Sequence, residues 1–294
     1  VEKNKEKINC FACQKEAVFF VSKNDCQLYR CDGCGLIFVW PRSKAHQEIY
    51  SADYFSGREN VLGYADYEGD GEIISLTLER YLQKLEKILP SKGKLLDVGA
   101  ATGHFVKLAE ARGWTASGIE ISEYAASVGR GKGLKIVTGN FEIENGPADF
   151  FEAITFWDVL EHFSEPEKAL REAGRILKPG GILAINTPDA GSFLAKVLGK
   201  RWHLLVPPNH LNYFNRKNLT QLLVENNFEI IHSGRVGKVF SLRSIFKVLA
   251  NWQKIGLWRK ISNYLLTSRV GGWKVPINTR DNIFLIARKK YAKN

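Results

Sequence analysis

Acidic side chains are almost missing from one end of this 294-residue chain: residues 233 to 294 hold 14 basic residues and 1 acidic one. The net charge of +11 therefore does not describe a uniformly basic protein. It describes a near-neutral body with one basic segment. Apolar runs long enough for a membrane span, about 20 residues, are also missing. The first residues, VEKNKEKINC, lack the apolar core of a signal peptide, so the expectation is a cytoplasmic protein. With 45% hydrophobic and 25% charged residues, the composition excludes wholesale disorder and a collagen-like repeat. Cysteine is absent after Cys34, and all five cysteines lie in the first 34 residues.

Four of those cysteines form two knuckles, Cys10-x-x-Cys13 and Cys31-x-x-Cys34, 17 residues apart. This is the spacing of a four-cysteine zinc site, with Gly33 and Gly35 giving the turn freedom that lets amides close around a thiolate. In a chain without an export signal such pairs favour metal over disulfides. Four sulfur ligands leave no open coordination position, so the expected zinc is structural. Cys26 has no CxxC partner and is left out of the ligand set. The pattern predicts a zinc ribbon over 1–45, ending in the strand-like LIFVWP, and a linker over 46–71 that is rich in Tyr, Gly and acidic residues.

From residue 72 the pattern alternates helix and strand. GEIISLTLERYLQKLEKILP places Ile73, Leu76, Tyr81, Leu85 and Ile88 near one helical stripe that stops at Pro90. Next come KLLDVG, HFVKLAEARG, WTASGIEI, a helix from about Ser122, LKIVTGN, FEAITFWD, a helix from about Pro166 to Leu177, GILAINTP, a helix from about Arg216 to Asn227, FEIIHSG and NIFLIARK. This predicts an α/β fold with a Rossmann-like, doubly wound, seven-stranded sheet over 72–294. Ligands of such sheets bind beyond the carboxyl ends of the strands.

The first of these strands ends in Asp97-Val-Gly99-Ala-Ala101-Thr-Gly103. A glycine loop opening a helix is weak evidence alone, but Asp97 at its mouth would repel a pyrophosphate and suits a cationic ammonium. The second strand ends at Glu120-Ile121, where an acidic residue accepts hydrogen bonds from ribose hydroxyls. The third ends at Asn140-Phe141, an amide and a ring suited to the edge and face of adenine. A ligand with adenine, a ribose, an amino-acid end and no phosphates fits these groups.

The run LLDVGAATGHF, Glu120, FWDVLEHFSEP and LKPGGILAINTPD together resemble class I S-adenosylmethionine-dependent methyltransferases over roughly residues 72–232 plus the last strand. The whole chain, with its four-cysteine ribbon and HLNYFNRKNLTQLLVENNF, is similar to bacterial zinc-ribbon methyltransferases of polysaccharide or secondary-metabolite pathways. The resemblance implies that Asp97, Gly99 and Gly103 hold the methionine end, Glu120 the ribose and Asn140 the adenine. Ile121, Phe141 and Trp157 complete the candidate cofactor set. Ala101 stands where the family often has Gly, which requires a backbone outside the left-handed region, and Asn140 replaces a frequent Asp.

Methyl transfer needs donor and acceptor held in line and a base for a protic nucleophile. His162, in Trp157-Asp158-Val-Leu-Glu161-His162, is the first candidate base, with a capping or orienting role as its rival. Asp158, Glu161 and His162 at i, i+3 and i+4 could share a helical face. Their resemblance to ubiquinone-pathway O-methyltransferases raises Mg²⁺, with a structural hydrogen-bond cluster the favoured reading. His210 is the second candidate base: Pro207-Pro208 is expected to extend the backbone so that His210 and Tyr213 overhang the acceptor. Its rival role is holding the loop closed. A covalent C5-pyrimidine mechanism lacks its cysteine, and the Asn-Pro-Pro-Tyr type of amino-methylating motif is replaced by Trp157-Asp158-Val159-Leu160. What remains is mainly O-methylation of a small-molecule, sugar or lipid-linked acceptor, with N- or C-methylation also open. An RNA methyltransferase and a non-catalytic S-adenosylmethionine-binding module are the alternatives.

An insertion over 237–278 carries most of the net charge. Leu242, Ile245, Phe246, Leu249 and Trp252, then Ile255, Trp258, Ile261 and Leu265, fall at helical spacing, interleaved with Arg243, Lys247, Lys254, Arg259 and Lys260. A lid or homodimer-forming hairpin, a peripheral membrane contact through 239–266 at the inner face of the membrane, and an RNA surface are its three readings, in that order.

Overall fold

Short apolar runs end up at the centre of the molecule because they can bury both faces. Leu95, Ala153, Ile154, Leu183, Ile185 and Leu285 are all fully buried in a seven-stranded sheet. The computed structural model describes residues 8–42, 68–89, 91–143, 146–253 and 255–291. The Tyr-rich stretch before residue 68, Pro90 and Lys254 lie outside them.

Four strands come first: β1 (Ile8–Asn9), β2 (Glu16–Lys23), β3 (Cys26–Cys31) and β4 (Ile37–Val39). The chain then forms α1 (Gly71–Ile88), β5 (Lys94–Val98), α2 (His104–Ala111), β6 (Thr115–Glu120), α3 (Glu123–Gly131) and β7 (Ile136–Thr138). After these come β8 (Phe151–Trp157), α4 (Pro166–Ile176), β9 (Leu177–Pro188), α5 (Phe193–Leu198), β10 (Asn212–Tyr213), α6 (Arg216–Glu225) and β11 (Phe228–Gly234). The insertion contains β12 (Lys238–Ser241), α7 (Leu242–Gln253), α8 (Gly256–Thr267) and β13 (Lys274–Ile277), and β14 (Asn282–Lys289) follows it.

The sheet order is β11-β14-β9-β8-β5-β6-β7. Five strands are parallel, and β14 runs antiparallel to β9 on one side and β11 on the other. From β5 the chain moves to β6 on one flank and later returns to β8 on the other, so the switch point opens beside the end of β5. The α/β doubly wound expectation matches this order.

Helix α1 covers one mouth of the sheet. Its buried stripe is Ile74, Leu78, Tyr81, Leu82 and Leu85, with Ile73 and Thr77 alongside. Leu76 and Ile88 are only half-buried, so the core-facing stripe is centred slightly away from the one the sequence suggests. Helix α3 starts after Ser122, whose hydroxyl accepts the Ala125 amide, and α4 starts with Pro166 where no amide donor is needed.

The ribbon is not a free-standing module. Its sheet continues from β4 into β10, pairing Phe38 with Asn212 and Ile37 with Tyr213. The next helix is tied to it as well. Asn215 and Asn218 cap α6 reciprocally, and both side-chain amides donate to the Cys34 carbonyl, at 2.9 and 3.4 Å.

Candidate functional site

A cavity of about 470 Å³ lies at the switch point, bounded by the ends of β5, β6 and β8, by α1, and by β12. Asp97, Gly99, Ala101, Glu120, Ile121, Asn140, Phe141 and Trp157 all line it, as does His162. Gly103 and His210 do not.

Asp97 is fully enclosed and accepts a 2.6 Å hydrogen bond from the Thr155 hydroxyl. Burial pushes its carboxyl up to about 8 against the lowering effect of that bond, and nearby Glu120 adds to the rise. A buried acid in this state is ready to become a carboxylate when a cationic group arrives. Glu120 is raised too, by burial. Its two oxygens accept the Ala101 and Ser122 amides, each at 2.9 Å, which fixes the carboxylate while leaving lone pairs for hydroxyl donors. Asn140 uses its Oδ1 to accept the Glu142 amide at 2.9 Å, so its NH₂ is the group available to a purine ring nitrogen. The donor set fits an adenosine with an amino-acid end.

The glycine loop divides its work differently from the sequence expectation. Gly99 has φ +71°, and a Cβ there would stand 2.6 Å from Val159 Cγ2. Gly103 caps α2 with φ +86° and faces Leu134 and Ile136, so its missing side chain permits helix–strand packing rather than ligand approach. Ala101 has φ +48°, inside the left-handed region, so the condition under which Ala replaces the family's Gly without strain is not met. Replacing Gly99 by Ala should combine about 1–2 kcal/mol of left-handed strain with a clash against Val159. The expected result is a lower melting temperature and weaker S-adenosylmethionine binding. The added substitution Val159→Ala should recover the steric part but not the backbone part, as read by calorimetry and thermal unfolding.

Beyond Trp157 the chain turns sharply. Asp158 has φ +54°, and Leu160–His162 form a single 3-10 turn, so Asp158, Glu161 and His162 do not share the helical face the spacing suggests. Asp158 instead accepts from Asn186 Nδ2 at 2.6 Å and from Lys238 Nζ at 2.5 Å. Glu161 is buried with its Oε2 accepting from the Thr187 hydroxyl at 2.8 Å, and burial plus Asp158 pushes its carboxyl up to about 8. The groups that approach one another are Glu161, His162 and His210, whose ligand atoms lie within 4.8 Å. Two imidazoles and one carboxylate are not the oxygen set magnesium prefers. The alternative of Mg²⁺ over Asp158, Glu161 and His162 therefore loses its geometry, and the favoured hydrogen-bonded reading fits the contacts of Asp158 and Glu161.

His162 Nδ1 is 2.6 Å from the Asn209 carbonyl, so that nitrogen carries the proton. Burial holds the imidazole below its ordinary pKa, which keeps it neutral at pH 7. His210 stands behind it, ring centroids 4.9 Å apart, with Nδ1 3.0 Å from the Leu204 carbonyl. Burial and the neighbouring His162 hold His210 well below its ordinary pKa. The Pro207-Pro208 segment is a turn with a cis peptide rather than an extended strap. It folds His210 inward, and Tyr213 is buried with its hydroxyl donating to the His210 carbonyl at 2.9 Å. Neither overhangs the cavity.

The sequence reading missed Lys238, Val239 and Phe240, which roof the cavity from the base of the insertion. They are held there by α1: the Val239 amide donates to Thr77 Oγ1, and Ser241 and Arg243 donate to Asp70. Nothing in the local pattern of VGKVFS marks it as a cavity wall. The cavity lining also has an apolar and aromatic part in Leu78, Tyr81, Phe105 and Trp157.

The four ribbon thiols come together without being bonded as disulfides. Cys10 and Cys34 sulfurs are 3.6 Å apart, Cys13 and Cys31 sulfurs 3.3 Å, and all four lie within 4.8 Å of one another. That is the separation a tetrahedral thiolate site requires. The hydrogen bond from Cys10 brings Cys34 down to about 5, whereas burial pushes Cys13 up to about 11. Cys26 lies outside the cluster.

Sheet order, glycine loop and acidic strand ends define a doubly wound α/β fold with a cavity at its switch point. More specifically, residues 71–233 match the model of the methyltransferase domain family, and the chain belongs to that family. It is 29% identical over 153 residues to an uncharacterized protein of Methanocaldococcus jannaschii, covering 51% of this chain and 71% of that one. It is 31% identical to a ubiquinone biosynthesis O-methyltransferase of Thiobacillus denitrificans, over 39% of this chain and 53% of the relative. The chain thus spans about half the length of that O-methyltransferase. Among solved structures, an S-adenosylmethionine-dependent methyltransferase of Archaeoglobus fulgidus superposes with a TM-score of 0.51 at 17% identity, covering 74% of this chain and 94% of that one. At that identity the likeness speaks for the fold.

Proposed function

We propose that the chain is an S-adenosylmethionine-dependent O-methyltransferase acting on a small-molecule, sugar or lipid-linked acceptor, with structural zinc in its ribbon. The observation that carries this reading is one cavity in which the Asp97, Glu120 and Asn140 set faces a neutral, oriented His162. Bound S-adenosylmethionine supplies an electrophilic methyl group. Asp97 holds its ammonium, Glu120 its ribose and Asn140 its adenine. His162 takes the proton of the attacking hydroxyl, while the Asn209 carbonyl fixes the imidazole orientation. Tyr81 and Phe105 give the acceptor an apolar bed beside Trp157 of the cofactor set, and relatives named as O-methyltransferases support oxygen as the nucleophile.

His162→Gln should lower kcat by roughly 10²- to 10⁴-fold, the usual range for a general base, with S-adenosylmethionine affinity little changed. Turnover should be flat near pH 7 and fall as pH drops through a value below the ordinary histidine pKa. Formation of S-adenosylhomocysteine against a panel of phenols, sugars and lipid-linked hydroxyl compounds tests the acceptor class. Unchanged turnover in the variant would remove His162 as base; cofactor binding without turnover on any acceptor would favour the non-catalytic module.

A further inference from the structure

Two stretches of the chain contain no acidic residue at all, 190–224 and 230–280, and the fold brings them together. The Trp252 indole at the end of α7 donates to the Arg201 carbonyl at 2.7 Å, and its ring meets His203 at 5.9 Å. The turn after helix α5 therefore adjoins the end of α7, which packs on α8, along one flank.

This flank carries an unusual share of the molecule's exposed large apolar side chains. Phe193 is 84% exposed, Tyr264 69%, and Val197 and Trp273 each 64%, with Leu257 also exposed. They are not the leftover of an unpacked hairpin, because α7 and α8 bury a face of their own through Ala250, Ser262 and Leu265 and through the Phe246–Trp258 ring contact at 5.6 Å. Isolated exposed apolar residues are ordinary, but Leu257 and Tyr264 stand two turns apart on one face of α8 with Lys260 between them, a pairing of apolar and cationic groups on one exposed face.

Among the cations on this flank, Lys274 pairs with the exposed Glu72 at 3.9 Å and Lys200 lies over the Phe20 ring, and two further groups stand out. Arg235, Lys238 and Arg243 turn inward to Asp189, Asp158 and Asp70. Arg259, Lys260 and Arg269 have no ion-pair partner among the described residues, and they sit beside the exposed apolar side chains on α8 and just after it. The inward group attaches the insertion to the catalytic body, so the outward group is surplus to folding.

From this charge and exposure we infer that the flank built by α5, α7 and α8 docks on an anionic lipid bilayer, with Phe193, Leu257, Tyr264 and Trp273 entering the headgroup region and Arg259, Lys260 and Arg269 meeting lipid phosphates. Apolar burial plus attraction of Lys and Arg to anionic headgroups is the physics of interfacial binding. No helix among the described residues is long and apolar enough to cross the bilayer, so the contact is peripheral. The docking surface leads directly to the site, since β12 roofs the cavity and α7 begins at the next residue. Delivery of a lipid-linked acceptor would follow, and that clause alone rests on the proposed acceptor class.

Flotation of the full chain with vesicles of phosphatidylglycerol and phosphatidylcholine, against pure phosphatidylcholine, tests the surface. Binding is expected only to the anionic vesicles. It should fall about tenfold or more in the Arg259→Glu/Lys260→Glu variant and similarly in the Phe193→Ser/Leu257→Ser/Trp273→Ser variant. Calorimetry with S-adenosylmethionine shows that each variant keeps its fold, and it separates failure of docking from failure of the methyltransferase reading. Binding that survives both sets of substitutions overturns the inference. So does RNA binding lost on charge reversal but indifferent to the apolar substitutions, in the absence of vesicle binding. A dimer in sedimentation that the apolar substitutions disperse, again without vesicle binding, overturns it in favour of a second copy of the chain.

Discussion

Asp97→Ala is expected to weaken S-adenosylmethionine binding by about 3–5 kcal/mol, roughly two to three and a half orders of magnitude, measured by titration calorimetry. The size follows from the site being closed. Asp97 is 3% exposed, so an ammonium brought there without its carboxylate would be a buried charge with no counter-ion. Asp97→Asn should recover part of the loss through the amide oxygen, yet it should abolish the pH dependence. In the cofactor-free protein the carboxyl sits at about 8, so its proton contributes stability that is complete below the unfolded value near 4 and is lost as pH rises through about 8. Ammonium binding requires the ionised form. Affinity should therefore climb with pH towards 8, with about one proton released per molecule bound at pH 6.5, read from the buffer dependence of the binding enthalpy. Equal affinity and equal proton release in wild type and Asp97→Asn would sink the assignment of Asp97 to the ammonium.

Stripping metal from the ribbon is expected to damage the distant catalytic loop more than the cofactor loop. The route is a chain of named contacts. The Cys34 carbonyl holds the Asn215 and Asn218 amides, and β4 pairs with β10. The first residue of β10, Asn212, donates through Nδ2 to the Phe163 carbonyl at 2.7 Å and reaches the Glu161 carbonyl at 3.4 Å. Those two carbonyls bracket His162. Loss of zinc, by chelation or by Cys31→Ser with Cys34→Ser, should destabilise the protein by about 4–5 kcal/mol or more, the range for loss of a structural metal. Turnover should collapse while the affinity of the surviving folded fraction for S-adenosylmethionine falls much less, because Asp97 and Glu120 lie on β5 and β6, outside this chain of contacts. Metal analysis should give about one zinc per chain before treatment. An unchanged melting temperature with intact turnover after complete metal removal would show that the ribbon neither folds through zinc nor supports the loop.

That the residues proposed for the cofactor share one cavity was legible because each group is local. Asp97 to Ala101, Glu120-Ile121 and Asn140-Phe141 each follow a strand, and strand ends in a doubly wound sheet converge. The clustering of the four cysteines was legible for a similar reason, since two CxxC knuckles fix their own spacing. What the sequence did not show depends on backbone geometry or on distant parts of the chain. Ala101 and Asp158 adopt positive φ, which no residue pattern announces for these side chains. His210 was placed on the acceptor side on the strength of two prolines, whereas the turn at Pro207-Pro208 carries it behind His162. Lys238 reaches Asp158 across 80 positions of sequence, and β10 joins a sheet that begins at residue 8. Pairings of that range have no periodicity to betray them.

The position of β14 also governs the order in which the molecule can be built. It lies between β9 and β11, hydrogen-bonded to both, yet it is made after the whole insertion. A ribosome delivering about 5–20 residues per second completes the cofactor loops well before this strand emerges. Until then the edge of β9 and the whole of β11 lack their partner, so the nascent chain exposes unpaired backbone of the kind that recruits other strands. The sheet closes late and from within, which makes the last strand, rather than the catalytic loops, the step most exposed to aggregation during synthesis.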